Sequence, residues 1–366
     1  MSQQKAFASQ FRIAPRRTQR GWIGIDIGSR LIKMAQVEQV GSRYRISARW
    51  TLRGDGDSIL TREEIGSQQL KSSLSQFKSL RRLLVGRNCA AVLSMSMVDF
   101  RVIDIPLGNP AEENRMIGEE LAADLGLEPN ALAFDGWEVS NDYGADANLT
   151  RIATIAMPKT VAEELNDALL GAGLECQTLN AMPCAIARAV EMAEPDQSDQ
   201  AVIALDLGYT SPLVVLIKGG RPVFARSLRD VGLQSLTQPL EKKLQITSDE
   251  SHQLLTRYGV AVAGQPPIVA IQRTMQIIAD PLHNLMTEIK RTIDYIGTQF
   301  RAHKPQRLYL FGGGALVNNL PEYLTQEMRL PALRWMLGGD YSDASDPLYG
   351  VAASLSSLAW EAGSCS

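Results

Sequence analysis

Apolar runs broken by an Asp-x-Gly turn set the hydrophobic pattern of this chain. Trp22-Ile23 leads into Gly24-Ile25-Asp26-Ile27-Gly28-Ser29, and a second apolar run leaves through residues 31–37. The same pattern returns at residues 201–205, Asp206-Leu207-Gly208-Tyr209-Thr210 and residues 213–217. Each copy predicts a β-hairpin with Asp and Gly at its tip. A polar turn follows each one (Gly41-Ser42-Arg43, Gly219-Gly220-Arg221), and then a third strand, residues 44–50 or 222–228.

The rest of the pattern fills in around these two units. Ile65, Leu70, Leu74, Phe77, Leu80 and Leu84 recur at helical spacing and predict a helix over 61–84. Residues 89–94 read as a buried strand, and 98–105 alternate up to Pro106 as a half-buried strand does. Asn109-Pro110 opens a helix with Glu112 and Glu113 in its first turn, ending at Gly126. Strands are expected at 131–139 and 149–157 around a polar loop, 140–148. Residues 86–158 thus read as a small α+β unit inserted before the next helix, 160–170. A short strand (174–179) and a helix (184–192) come next. The polar stretch 194–200 is a lobe boundary. Helices are expected at 232–244, at 248–258 behind the cap Thr247-Ser248-Asp249-Glu250, and at 268–300, where Pro281 predicts a kink. Residues 307–311 form a buried strand that runs into Gly312-Gly313-Gly314. Asn318-Asn319-Leu320-Pro321 then opens a helix to Met328, and Asp346-Pro347 a last one, 348–360.

The domain reading is a tail (1–20), a first lobe (21–85 plus 159–198), the inserted unit (86–158) and a second lobe (199–366) with a helical part at about 235–303. Composition supports a globular chain of that size: 366 residues, 45% hydrophobic and 21% charged. A net charge of −3 does not point to nucleic acid, and no run of eighteen apolar residues spans a membrane. Cys89, Cys176, Cys184 and Cys365 lack C-x-x-C spacing and read as reduced core thiols. His252, His283 and His303 read as surface or packing residues. The tail carries Lys5, Arg12, Arg16, Arg17 and Arg20, no acid and no apolar signal core. A solvated, disordered arm is the expectation, with an anionic membrane surface or acidic partner as the functional alternative.

Two Asp-Gly hairpins facing each other would clamp phosphate. Glycine lets backbone N–H groups approach the oxygens, and Ser29 and Thr210 add hydroxyl donors. The two carboxylates would repel bare phosphate, so they imply a divalent cation between them. Mg²⁺ fits, because it keeps most of its waters. The plainer alternative is two ordinary hairpins with an Asx turn each. The run Gly312-Gly313-Gly314 would let a flat or anionic ligand lie on bare backbone, or would simply make a tight strand–helix turn.

The order of hairpin, helix, second hairpin, long helix and glycine triplet resembles the actin-like ATPase superfamily. Within it the chain is similar to the PilM family of type IV pilus assembly, with FtsA as the nearest cousin. The residues that carry this are Gly24-Ile25-Asp26-Ile27-Gly28-Ser29 with Lys33, Leu205-Asp206-Leu207-Gly208 and Phe311-Gly312-Gly313-Gly314, together with the inserted unit, which actin lacks. The resemblance covers about residues 20–360. It implies a two-lobed α/β fold of duplicated RNase H-like sheets. It makes Asp26, Gly28 and Ser29 a first phosphate loop, and Asp206, Gly208, Tyr209 and Thr210 a second. Lys33 would reach a phosphate, and Asp26 and Asp206 would hold Mg²⁺ through water. Gly312, Gly313, Gly314 and Ala315 would lie against adenine. Glu288 and Arg291, three apart on one helix face, resemble the ribose and adenine contacts.

Arg30 and Val231-Gly232-Leu233 depart from the family pattern. Near Asn180-Ala181-Met182-Pro183 there is no Glu, Gln or Asp to orient an attacking water, so ATP binding is expected more than hydrolysis. The implied role is an adaptor on the cytoplasmic face of the inner membrane. It would bind the N-terminal tail of a PilN-like protein in a groove between first lobe and insert. The pilus assembly ATPase and self-association are further implied contacts. The alternatives are a type II secretion component, an FtsA-like filament protein and a small-molecule kinase. The ending Trp360-Glu361-Ala362-Gly363-Ser364-Cys365-Ser366 lacks the basic amphipathic helix of FtsA, and the second lobe offers no evident carboxylate base or sugar pocket for a kinase.

Overall fold

The computed structural model describes residues 19–41, 43–53, 68–77, 83–93, 95, 98–139, 149–195, 200–264, 268–300, 303–338 and 342–361. The tail up to residue 18, the ends of the helix expected at 61–84 and the polar loop 140–148 lie outside them.

Both Asp-Gly units fold as hairpins and seed matching sheets. In the first, β1 (Ile23–Ile27) pairs antiparallel with β2 (Leu31–Val40), which pairs with β3 (Arg43–Arg53). On the other side β1 runs parallel to β4 (Asn88–Leu93), and β4 to β8 (Glu175–Asn180), giving the order β3-β2-β1-β4-β8. The second sheet repeats this with β9 (Val202–Asp206), β10 (Leu213–Lys218), β11 (Arg221–Ser227), β12 (Leu308–Phe311) and β13 (Ala332–Arg334), in the order β11-β10-β9-β12-β13. Strand β13 is a three-residue edge that the hydrophobic pattern does not reveal.

The inserted unit is smaller than expected. Strand β4 was grouped with it, yet β4 lies between β1 and β8 in the first sheet. Its residues after Asn88 are all buried, as in a strand covered on both faces. The insert proper comprises β5 (Asp99–Pro106), α2 (Pro110–Leu125), β6 (Leu132–Glu138) and β7 (Leu149–Pro158), with sheet order β5-β7-β6. Its own core is Ile103, Ile105, Ile117, Leu121, Leu132 and Ile152. Helix α2 starts in a capping box between Asn109 and Glu112 and stops at Gly126.

Helices α1 (Gln68–Ser75) and α3 (Lys159–Gly171) cover one face of the first sheet. In the second lobe α5 (Leu233–Leu244), α6 (Ser248–Arg257) and the long α7 (Val269–Gln299) pack on the outer face, and α7 runs unbroken through Pro281. Between the two sheets lie α4 (Met182–Ala193) and the last helix, α9 (Asp346–Glu361), in one shared core. Helix α8 (Leu320–Met328) covers the end of the second sheet.

The last helix was assigned to the second lobe, but it crosses back onto the first sheet. Ser356 Oγ donates to Trp22 O at 2.5 Å and accepts from Val37 N at 3.0 Å. The approach is so close that a Cβ at Gly24 would stand 1.8 Å from Ala352 O. Only glycine fits there. On its other side α9 meets Phe311 and Trp335 through Gly350.

A 3-10 turn over Gly313–Leu316 follows the strand, and α8 begins at Leu320, where the Asn-Asn-Leu-Pro run predicts it.

Candidate functional site: the cleft between the lobes

The two hairpin tips meet. Thr210 Oγ1 donates to Ser29 Oγ at 3.2 Å, joining the loop after β9 to the loop after β1. Behind them is a cleft of about 350 Å³ lined by Asp26, Gly28, Ser29, Lys33, Asp206, Gly208, Tyr209, Thr210 and Gly313, among others. Nine of the sequence-predicted residues therefore converge on one cavity, although they come from distant stretches of chain.

Asp26 and Lys33 are direct partners in the β1–β2 register, and Lys33 Nζ lies 2.5 Å from Asp26 Oδ2. The other Asp26 oxygen, Oδ1, is buried without a hydrogen-bond partner among the described residues. Burial works against the Lys33 ammonium, but the Asp26 and Asp206 carboxylates outweigh it and hold its pKa above the ordinary lysine value. Burial pushes the Asp206 carboxyl up to about 6; Lys33 pulls it down and Asp26 adds to the rise. The Asp206 residue is only partly buried along the cleft wall. Its carboxyl nevertheless packs against the backbone of Gly312, where a Cβ would stand 2.3 Å from Oδ1.

The second tip is held from behind. Gly232 N donates to Thr210 O, Leu233 N to Gly208 O and Gln234 N to Tyr209 O, at 3.2, 3.0 and 2.8 Å. A Cβ at Gly232 would strike the backbone of Tyr209 and Thr210. The single glycine in Val231-Gly232-Leu233 thus suffices to seat α5 against this loop.

Two expectations need correction. Gly312 and Gly314 do not offer bare backbone to the cleft. Gly312 presses on Asp206, and Gly314 on the Leu207 side chain, with Gly314 N donating to Leu207 O at 2.9 Å. Of the triplet, Gly313 lines the cleft, while Ala315 is fully buried. Glu288 and Arg291 do not line the cleft either. They pair with each other at 2.7 Å, and Glu288 meets Arg226 of β11 at 3.4 Å. The wall they were expected to form comes from α6, through Asp249, His252 and Gln253. His252 is not a mere packing residue: its ring lines the cleft beside Gly313. Burial and the nearby Arg30 lower its pKa, against Asp249, so it is neutral at pH 7.

The donor set suits a hydrated divalent cation. Among the described residues no group of three or more His, Cys, Asp or Glu could hold a metal by itself. Asp26 and Asp206 with the unpartnered Oδ1 could supply two carboxylates, leaving water and phosphate to complete the shell.

A second, shallower groove of about 200 Å³ lies between the insert and the first lobe. Phe134, Trp137, Ile155 and Met157 form its insert side, and Ala162, Leu179 and Cys184 its lobe side. Burial pushes the Cys184 thiol up to about 12.

Paired sheets of this order, with the hairpin tips closing on a shared cleft, define a two-lobed actin-like protein. Solved structures similar to it agree on that fold. A PilM-PilN type IV pilus biogenesis complex matches at TM-score 0.76 and 19% identity, over 93% of this chain and 98% of that one. EutJ of Carboxydothermus hydrogenoformans matches at TM-score 0.53 and 14% identity (94% and 91%), and MreB 5 of Spiroplasma citri bound to AMPPNP at 0.52 and 13% (95% and 98%). The model of the type IV pilus assembly protein PilM family matches residues 24–333, and the chain belongs to that family. No curated protein matches it by sequence.

Proposed function

We propose that this chain is an ATP-binding adaptor of type IV pilus assembly. It sits at the cytoplasmic face of the inner membrane and binds the N-terminal tail of a PilN-like membrane protein. The observation that carries the nucleotide half is the meeting of Asp26, Lys33 and Asp206 in one cleft under the joined tips Ser29 and Thr210. In this reading Asp26 and Asp206 hold Mg²⁺ through water, and when bound it supplies the positive charge that lets carboxylates and phosphates share the cleft. Lys33 leans from Asp26 toward a phosphate oxygen. The Ser29 and Thr210 hydroxyls donate to the same phosphates, and His252 and Gln253 face the sugar and base. MreB 5, of like fold, was solved with AMPPNP, which favours a nucleotide over other anions. Hydrolysis is no part of the proposal.

The partner half rests on the groove between insert and first lobe. Its aromatic and aliphatic lining suits the apolar side chains of an extended peptide. Among the described residues no helix is long and apolar enough to cross a membrane. In this reading membrane attachment runs through the partner.

The test pairs two readouts on the full chain: the melting shift with Mg-ATP, and capture by a peptide of the partner's cytoplasmic tail. Asp26→Ala and Asp206→Ala should each abolish the shift, since bound ligand stabilises in proportion to ln(1 + [L]/Kd). Full shifts in both variants would reduce the hairpins to structural turns.

A further inference from the structure

Charged groups bridge the mouth of the cleft from lobe to lobe. Arg30 follows Ser29 at the first hairpin tip, and Arg53 ends β3 beside Leu31. Both belong to the first lobe; Asp249, in the first turn of α6, belongs to the second. Arg53 forks onto Asp249, Nη1 donating to Oδ2 at 2.6 Å and Nη2 to Oδ1 at 2.5 Å. Arg30 Nη2 donates to the same Oδ1 at 3.3 Å. The Arg30 guanidinium also stands 4.5 Å from the centre of the Tyr209 ring, and its side chain is only 9% exposed. All four residues line the cleft.

A guanidinium fork fits phosphate as well as it fits carboxylate. Arg30 is tethered one residue from the Ser29 hydroxyl that meets Thr210, so it stands where the outer end of a phosphate chain held between the tips would lie. The Tyr209 ring fixes the plane of that guanidinium. Asp249 is half exposed, and exposed ion pairs are weak, so a phosphate dianion can displace it.

We propose that Arg30 and Arg53 read the outermost phosphate of a nucleoside triphosphate, exchanging Asp249 for it. The length of the bound phosphate chain then sets whether Arg53 and Asp249 clasp the two lobes. This rests on the nucleotide reading above and adds to it a residue pair that discriminates triphosphate from diphosphate.

The experiment is a calorimetric titration of the full chain with Mg-ATP and Mg-ADP. Wild type, Arg30→Ala, Arg53→Ala and Asp249→Asn are compared. Each arginine variant should lose about tenfold in ATP affinity and about twofold or less in ADP affinity, the scale of one lost charge-assisted contact. Asp249→Asn should tighten ATP binding and leave ADP unchanged, because it removes the competitor without removing volume. Parallel changes for ATP and ADP in all three variants, or none in any, would overturn the phosphate-reading role while leaving nucleotide binding intact. A wild type that binds neither nucleotide would overturn the nucleotide reading itself.

Discussion

Lys33 and Asp26 face each other across the first hairpin, and Lys33 Nζ is 2.5 Å from Asp26 Oδ2 inside a wall of buried isoleucines. The Lys33 ammonium faces two carboxylates, Asp26 and Asp206, and its charge offsets one of them. Removing one partner of a buried ion pair strands the other charge. Lys33→Met should therefore lower unfolding stability by about 3 kcal/mol, measured with denaturant. Asp26→Asn combined with Lys33→Met should recover part of that loss. A double variant as unstable as the sum of the two singles would mean the charges do not interact.

Gly312 supports a second prediction. Its φ is +78°, in the left-handed region, and its missing side chain leaves room for the Asp206 carboxyl. Gly312→Ala should cost about 2 kcal/mol or more in stability, from backbone strain plus the clash. It should also weaken Mg-ATP binding by displacing Asp206. Thermal melts with and without Mg-ATP read both effects, and a variant with wild-type values in both would remove Gly312 from the site.

Much of this was legible in the chain. Asp26 and Asp206 announce themselves because each ends an apolar strand before a glycine, twice over. The limits are physical. An all-apolar strand such as Cys89-Ala90-Ala91-Val92 has no polar face to tell which sheet it joins, so β4 reads as well in the insert as in the first sheet. The last helix is apolar on nearly every side, which signals burial but not between what. For Glu288 and Arg291, i to i+3 spacing establishes a common helix face without saying what that face sees. The α6 residues were hidden for the same reason: Asp249 and His252 read equally as a solvated first turn.

Glu38 gives a pH-dependent test outside the cleft. Its hydrogen bond from Arg45, opposed by burial and aided by Arg20, holds its carboxyl below the ordinary glutamate range. A depressed carboxylate adds stability above its unfolded pKa and loses it as pH falls through the folded one. Glu38→Gln should therefore cost about 1 kcal/mol near pH 7, a modest value because both arginines are part-exposed. The difference from wild type should shrink toward zero below about pH 4. A pH-independent difference would assign the loss to packing.

Filling the groove beside the insert separates partner from nucleotide. Ala162 of α3 lines it opposite the aromatic side chains of β6. Ala162→Trp should abolish capture by the partner's tail peptide while the Mg-ATP melting shift stays within error. Peptide capture at wild-type levels by a folded Ala162→Trp protein would move the binding surface elsewhere.

The last prediction decides which helix faces the sugar and base. His252 and Gln253 of α6 line the cleft, the His252 ring beside Gly313. Glu288 of α7 pairs instead with Arg226 of β11 and with Arg291. His252→Ala removes a half-buried ring whose pKa is lowered, so its effect on binding reports contact and not field. It should weaken Mg-ATP about tenfold, the scale of one lost polar contact. Glu288→Ala and Arg291→Ala should stay within about twofold, since exposed ion pairs contribute little. Adenosine without phosphates should follow the same ranking, because His252 would act on the sugar and base and not on the phosphates. If Glu288→Ala is the variant that loses affinity, the nucleotide must reach along β11 toward α7, and the cleft beneath Ser29 and Thr210 would hold only its phosphates.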